Sequence, residues 1–178
     1  SAFVKQRVTT FYNRESDVIH PFVDLEDFKD VRENPPEKED YFIMVTAFAP
    51  NKRVDLAVKA FNKLGMKLRI IGSGQQESEL REMAKDNIEF LGNISREEVV
   101  SCFARAEAMI FPGVEDFGIT PLESMASGTP VIAYKAGGVL ETLNDEVAVF
   151  FDEPTVESLI GAVEKFKDAE IKRDDLLA

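Results

Sequence analysis

The residues of this chain best suited to chemistry lie in one stretch, EDFGITPLESMASGTP, at positions 115–130. It carries two glutamates, Glu115 and Glu123, eight residues apart on either side of a Phe-Gly and a Thr-Pro. An ionised carboxylate only accepts hydrogen bonds and has two oxygens, so it can bind neighbouring hydroxyl groups. The two glutamates therefore suit a ligand rich in hydroxyls, such as a ribose or another sugar.

The same stretch also predicts a helix start with a purely structural role. Thr120 and Glu123 have the T-x-x-E spacing of a capping box, and Pro121 would take the first helical position. Gly128, with Pro130 two residues later, would end the helix. Capping does not explain Glu115, and the free amides of a helix start attract anions. The residues alone leave Glu123 open between capping and binding.

Apolar runs and amphipathic runs alternate from about residue 40 onward, joined by short connections. The predicted strands are 41–45, 67–71, 88–91, 108–111, 130–134 and 148–151. The predicted helices are 53–64, 75–85, 95–106, 120–128, a short one near 139–143, and 156–166. Such alternation favours parallel strands with right-handed crossovers. The sequence predicts an α/β fold, a Rossmann-like, doubly wound parallel sheet.

The first 39 residues have a different pattern. A helical spacing of apolar residues covers 1–12, and the charged, proline-rich ENPPEKED at 33–40 is typical of a surface connection. We expect residues 1–39 to lead into one Rossmann-like domain that covers residues 40–178.

Two further glycine turns follow predicted strands, where ligands bind in such sheets. Gly72-Ser73-Gly74 lacks the third glycine of a dinucleotide fingerprint. The residues alone allow either a tight turn or a close approach of the backbone to a ligand. For Ala136-Gly137-Gly138, the residues allow either a cradle for an anion or a simple turn of the chain.

Composition excludes some classes of partner and site. A net charge of −12 argues against nucleic acid or an anionic membrane surface as the main partner. Cys102 is the only cysteine, so no internal disulfide can form, and we expect a reducing, cytoplasmic location. His20 is the only histidine and has no accompanying ligand cluster, so we predict no metal requirement.

Four segments, in this order, resemble the C-terminal half of the family-four retaining glycosyltransferases of GT-B architecture. They are PNKRVDLAVKAF at 50–61, IIGSGQQESEL at 70–80, IEFLGNIS at 88–95 and FPGVEDFGITPLESMASGTPVIAYKAGGVLET at 111–142. SDVIHPFVDLEDF at 16–28 resembles the segment that crosses between the two domains of those enzymes. The resemblance implies transfer of a hexose, with mannose as the leading candidate, from a nucleotide diphosphate sugar.

The resemblance also implies residue roles. Lys52 would contact the diphosphate leaving group and Glu115 the donor sugar, which makes these two the candidate catalytic residues. Glu123 would bind the ribose hydroxyls. The other residues implied in donor or nucleotide binding are Arg53, Gly72, Gly74, Ile94, Phe117, Gly118, Ile119 and Thr120. Of these, the amides of 117–119 would meet the diphosphate, Ile94 the base, and the two glycines the pocket floor.

One position departs from the family pattern. The Gly-Arg that commonly follows the first strand is replaced here by Thr46-Ala47. Either Lys52 acts together with Arg53, or backbone amides carry more of the phosphate binding. Without this guanidinium, the resemblance does not imply the donor affinity that is standard in the family.

The resemblance finally implies a half-enzyme. The chain would be the donor-binding domain of a longer protein, without the preceding acceptor-binding domain and the last C-terminal helix, and inactive by itself. The donor would be GDP- or UDP-linked, with no cofactor. A glycan or glycolipid acceptor would bind through the missing domain, and the intact enzyme would sit peripherally at the inner face of the membrane. A nucleotide-sugar epimerase, a phosphorylase of the same fold, and a non-catalytic nucleotide-binding module remain the alternatives.

Overall fold

The centre of the fold is a six-stranded sheet, seen in a computed structural model that describes residues 1–177. Its strands are β1 (Phe42–Val45), β2 (Leu68–Ile71), β3 (Ile88–Gly92), β4 (Met109–Phe111), β5 (Val131–Tyr134) and β6 (Ala148–Phe151). All neighbouring strands pair in parallel. The predicted Rossmann-like, doubly wound parallel sheet is confirmed.

The strand order, β3-β2-β1-β4-β5-β6, decides where a ligand can bind. The chain builds outward from β1 to β3 and then returns to place β4 on the other side of β1. In open parallel sheets, ligands bind outside the carboxyl ends of the strands at such a reversal. The loops that follow β1 and β4 border this point, and they carry Lys52 and Glu115.

Helices cover both faces of the sheet. They are α1 (Ala2–Tyr12), α2 (Lys29–Glu33), α3 (Val54–Leu64), α4 (Glu77–Met83), α5 (Arg96–Arg105), α6 (Ile119–Ala126), α7 (Val156–Lys167) and α8 (Arg173–Leu177). Phe42 packs edge-on against Phe61 of α3, and Ile43 shares a separate core layer with Phe103 of α5. The strands are buried on both faces, which explains their continuous apolar runs.

Two predicted helix boundaries are confirmed, one is wrong, and one predicted helix is a 3₁₀ turn. Ser95 and Glu98 form a reciprocal capping box on α5, and Gly65 ends α3 in the left-handed region. The capping box predicted at Thr120 is absent, because the left-handed Gly118, at φ 89°, starts α6 two residues earlier. Thr120 therefore lies in the first turn of α6 and not at its N-cap. The helix expected near 139–143 is a 3₁₀ turn, Gly138–Glu141.

The segment before β1 packs on the sheet domain at several places. The amides of Ala2 and Phe3 each donate to the carboxylate of Glu141 at 2.8 Å, which caps α1. Phe28 is fully buried in a small apolar cluster between α5 and α6. The domain boundary at residue 40 stays a prediction. Among the helices in the described part of the chain, residues 1–177, none has the length and apolar character needed to span a bilayer.

Lys38 joins the two chain segments that lead into strands β4 and β5. Its Nζ donates to the carbonyl of Ala106 at 2.8 Å, to the hydroxyl of Thr129 at 2.7 Å and to the carbonyl of Gly128 at 3.2 Å. Burial, reinforced by the charge of Arg173, lowers the pKa of Lys38 to about 8. The lysine therefore loses its proton in the folded protein at a pH where it keeps it in the unfolded chain.

This difference predicts a pH effect on stability. Between about pH 8 and the ordinary pKa of 10.5, the unfolded chain binds more protons than the folded protein, so the contribution of Lys38 to stability rises with pH. Urea unfolding of the native chain and Lys38→Met across this range should show the native chain gaining stability relative to the variant. The exposed Lys67 offers a control, Lys67→Met. A constant difference between native chain and Lys38→Met would contradict the prediction.

Candidate functional site

An open cleft of about 430 Å³ lies at the carboxyl ends of the first three strands. Four of the predicted site residues line it, namely Gly72, Ile94, Thr120 and Glu123. The other lining residues are Val45, Thr46, Ala47, Ile71, Ser73, Asn93 and Val99. The strand order brings together loops that are far apart in sequence. The wall at Thr46-Ala47 has no guanidinium, as the sequence indicated.

A narrow crevice beside the cleft holds the two candidate catalytic residues. Lys52 Nζ and Glu115 Oε1 form an ion pair, and each side chain is 23% exposed. Crevice and cleft share Val45 and Thr46 as lining residues. Burial lowers the pKa of Lys52, and the negative charge of Asp116 opposes that lowering. The structure therefore places Lys52 and Glu115 together, next to the pocket that contains Glu123.

Gly113 allows the two loops of the crevice to approach each other. A Cβ at this position would lie 2.7 Å from the carbonyl oxygen of Asn51 and 3.0 Å from the Cα of Lys52. Any larger residue would push the Lys52 loop away from the loop that carries Glu115. The ion pair thus depends on a glycine that the sequence analysis did not single out.

Free amides precede the helix between the two glutamates. The N–H groups of Phe117, Gly118 and Ile119 donate no hydrogen bond to any residue within 1–177. Three successive unpaired donors at the start of α6, together with the helix dipole, are the type of arrangement that attracts an anion. In the described residues these three donors therefore remain available to a ligand.

The glycine turns after β2 and β5 are explained by close packing. A Cβ on Gly138 would lie 2.2 Å from the carbonyl oxygen of Asp116, and the Gly138 amide donates to the carbonyl of Glu115 at 2.8 Å. This turn supports the 115–118 loop, so the packing role is favoured over an anion cradle. Gly74 lies similarly close to the backbone of Phe48, and it does not line the cleft.

Gly72 is the most constrained of these positions. Its φ is +130°, and a Cβ would lie 1.9 Å from the carbonyl oxygen of Thr46. We expect Gly72→Ala to lower the free energy of unfolding by about 2–4 kcal/mol, from backbone strain and overpacking together. Urea denaturation measures this.

The matched control is Gly161→Ala on α7, where an added Cβ meets no atom within 4 Å. That variant should gain about 0.5–1 kcal/mol, because alanine is the better helix former. Equal stability of the two variants would show that the loop after β1 moves freely away from Gly72.

Other predicted residues lie outside the two openings. Arg53 Nε contacts Asp55 Oδ1 at 3.2 Å. Burial acts to raise the pKa of Asp55, but hydrogen bonds from Lys59 and Arg53 outweigh it, and the pKa is lowered. The ring of Phe117 stacks on His20 at 5.5 Å, so Phe117 can offer a ligand its backbone rather than its side chain.

Arg96 is the residue that sequence reasoning missed. Its Nη1 donates to Oε1 of Glu123 at 2.7 Å, and its Nε donates to Oδ2 of Asp27 at 3.0 Å. The only local signal is its position two residues after Ile94, at the start of α5. In the described residues, 1–177, no group of three or more His, Cys, Asp or Glu side chains could hold a metal ion.

The strand order and the position of the cleft show to which class of protein the chain belongs. This is a Rossmann-like α/β domain whose candidate site lies at the switch point of the strand order. The family model described as "Glycosyl transferases group 1" matches residues 26–177. The chain belongs to that family.

Relatives in the family carry the names of sugar transferases. The O-antigen chain mannosyltransferase RfbU of Salmonella typhimurium is 30% identical over 180 residues, which cover 93% of this chain and 50% of that protein. The human alpha-1,3/1,6-mannosyltransferase ALG2 is 24% identical and is matched over 93% of this chain and 47% of its own length. The chain therefore spans about half the length of these relatives.

Solved structures share the fold. A glycosyltransferase from Rickettsia africae superposes with a TM-score of 0.83 at 19% identity, over 99% of this chain and 56% of that one. Anabaena HepE, solved in complex with UDP and glucose, gives a TM-score of 0.73 at 16% identity, over 91% of this chain and 50% of that one. At these identities the likeness concerns the architecture alone.

Proposed function

We propose that this chain is the donor-binding half of a retaining hexosyltransferase of GT-B architecture. The observation that carries the proposal is the row of free amides at residues 117–119, flanked in sequence by Glu115 in the crevice and by Glu123 in the adjoining cleft. A nucleotide diphosphate sugar presents hydroxyls, a diphosphate and further hydroxyls in that order. Along the sequence, Glu115, the amides of 117–119 and Glu123 follow the same order.

Each group then has one task. Glu123 accepts hydrogen bonds from the ribose hydroxyls, with Ile94 beside the base. The amides of Phe117, Gly118 and Ile119 bind the diphosphate, and Glu115 meets the hydroxyls of the donor sugar. In the absence of an arginine at position 47, these amides carry a larger share of the phosphate binding.

Lys52 stabilises the leaving group. Negative charge builds on the diphosphate as the glycosidic bond breaks, and a preorganised ammonium nearby lowers the energy of that state. The lysine is paired with Glu115 in the structure. Donor binding therefore has to divide this pair, so that the lysine turns to the phosphate and the glutamate to the sugar.

The wider assignment rests on relatives. Mannose is the sugar to test first, since RfbU and ALG2 are named as mannosyltransferases.

The acceptor is a glycan or glycolipid held by a domain that precedes residues 1–39, at the cytoplasmic face of a membrane that the intact enzyme touches peripherally. Without that domain the chain binds donor but does not transfer sugar. The match to a transferase family favours this reading over an epimerase, a phosphorylase or a non-catalytic module.

Calorimetric titration with UDP, GDP and ADP tests the proposal. We expect saturable binding of at least one of them, with the corresponding nucleoside binding at least about tenfold more weakly because it lacks the charged hydrogen-bond acceptors. Failure of all three to bind, or equal binding of nucleoside and diphosphate, would overturn the proposed donor site. Turnover of a nucleotide sugar and acceptor by this chain alone would overturn the half-enzyme assignment.

A further inference from the structure

Arg96 connects the candidate donor site with the segment that precedes the sheet. One arm of its guanidinium donates to Glu123 at 2.7 Å, and Nε donates to Asp27 at 3.0 Å. The guanidinium also lies over the ring of Phe28, 5.1 Å from its centroid. Two carboxylates and a ring therefore fix one planar cation, which is the kind of geometry that arginine holds and lysine does not.

The contact restricts how Glu123 can present its carboxylate. Oε1 is occupied by Arg96, while the side chain is only 17% exposed and lines the cleft. A carboxylate held through one oxygen keeps the other in a fixed direction, at no further entropic cost when a ligand binds. Without the arginine, the Glu123 side chain would be free to change rotamer at the cleft wall.

We propose that Arg96 is the positioning residue that sets Glu123 to recognise a ribose, and thereby determines the preference of this site for ribonucleotides over deoxyribonucleotides. The inference rests on the proposed function and adds a specificity-determining residue to it. Arg96 acts through Glu123 and does not itself contact the ligand.

A structural role makes a different prediction. If Arg96 only joined Asp27 to α5, its loss would lower stability and leave ligand selectivity unchanged. The decisive quantity is therefore a ratio, the dissociation constant of a 2′,3′-dideoxynucleoside diphosphate divided by that of its ribose counterpart. Global destabilisation affects both ligands equally and cancels in this ratio.

The experiment measures this ratio by calorimetry for the native chain, Arg96→Met and Arg96→Lys, using whichever of UDP, GDP or ADP binds the native chain best. The matched control is Arg81→Met. Arg81 also pairs with a carboxylate, that of Glu77 at 2.9 Å, and lies 4.9 Å from a phenylalanine ring. Thermal melting confirms that each variant is folded at the titration temperature.

We expect a ratio of about ten or more for the native chain and for Arg81→Met, since hydrogen bonds to a charged acceptor are lost with the hydroxyls. The ratio should fall to within about threefold of one in Arg96→Met, and Arg96→Lys should lie between them, because its ammonium keeps the charge without the planar fork.

The outcomes separate the two claims. A folded Arg96→Met that keeps the native ratio overturns the positioning role, while native binding and the proposed donor site stand. A native chain that binds none of the three diphosphates, or shows a ratio of one, overturns the proposed function and this inference with it. A lysine variant indistinguishable from native would show that charge alone suffices and would overturn the geometric argument.

Discussion

Replacing Glu123 with alanine is expected to weaken the binding of a nucleoside diphosphate by about tenfold to a hundredfold, the usual value of hydrogen bonds to a charged group. The carboxylate lines the cleft and is held by Arg96, so its orientation is set before the ligand arrives. Its removal would cost both the acceptor and the direction in which it points. The dissociation constant from calorimetry measures the loss.

Two comparisons make this result specific. Glu164→Ala removes an exposed carboxylate from α7 and should leave the affinity unchanged. Glu123→Gln keeps the size of the side chain and one acceptor oxygen, and should lose less affinity than the alanine variant. Native affinity in Glu123→Ala would show that the ribose lies elsewhere, and the role that the family resemblance implies for this residue would then be wrong.

The fold was predictable because its signals are local. Strands buried on both faces appear as continuous apolar runs, and helices appear as apolar stripes between them. Gly65 and the Ser95 capping box marked boundaries that the structure confirms. The order of the strands has no such signal. The meeting of Lys52 with Glu115, 63 residues apart, follows from that order and from the space left by Gly113.

The start of α6 shows why one local signal misled. The T-x-x-E spacing of Thr120 and Glu123 is a genuine capping pattern, but a left-handed glycine just before it can begin the helix earlier. Once Gly118 takes that conformation, Thr120 lies in the first turn and Glu123 is free to pair with Arg96. The glutamate therefore belongs to the cleft and not to a cap.

The contacts of Arg96 could not be predicted from the sequence for a different reason. Its two partners, Asp27 and Glu123, lie 69 and 27 residues away, and only tertiary packing brings them together. A charged residue in the first turn of a helix is ordinarily a solvated one. For the candidate site, sequence singled out six residues that line the crevice or the cleft, whereas the contacts that hold them in place required the structure.

The ion pair between Lys52 and Glu115 predicts mutational effects of opposite sign on the binding of a nucleoside diphosphate without sugar. Lys52→Met should weaken it by about tenfold or more, because a charge-assisted contact to the phosphates is lost. Glu115→Gln should strengthen it severalfold. That change removes a negative charge beside the phosphate position and releases Lys52 from its partner. Calorimetry in one buffer measures both.

The same pair explains why a sugar-bearing donor should behave differently. With the sugar present, Glu115 regains a partner in its hydroxyls, so Glu115→Gln should lose affinity for the nucleotide sugar while it gains affinity for the diphosphate. Lys59→Met is the control, since Lys59 forms an exposed ion pair with Asp55 on α3 at 3.0 Å. If both Lys52→Met and Glu115→Gln weaken diphosphate binding, the pair would act as a structural brace, and the leaving group would have to be stabilised by the amides of 117–119 alone.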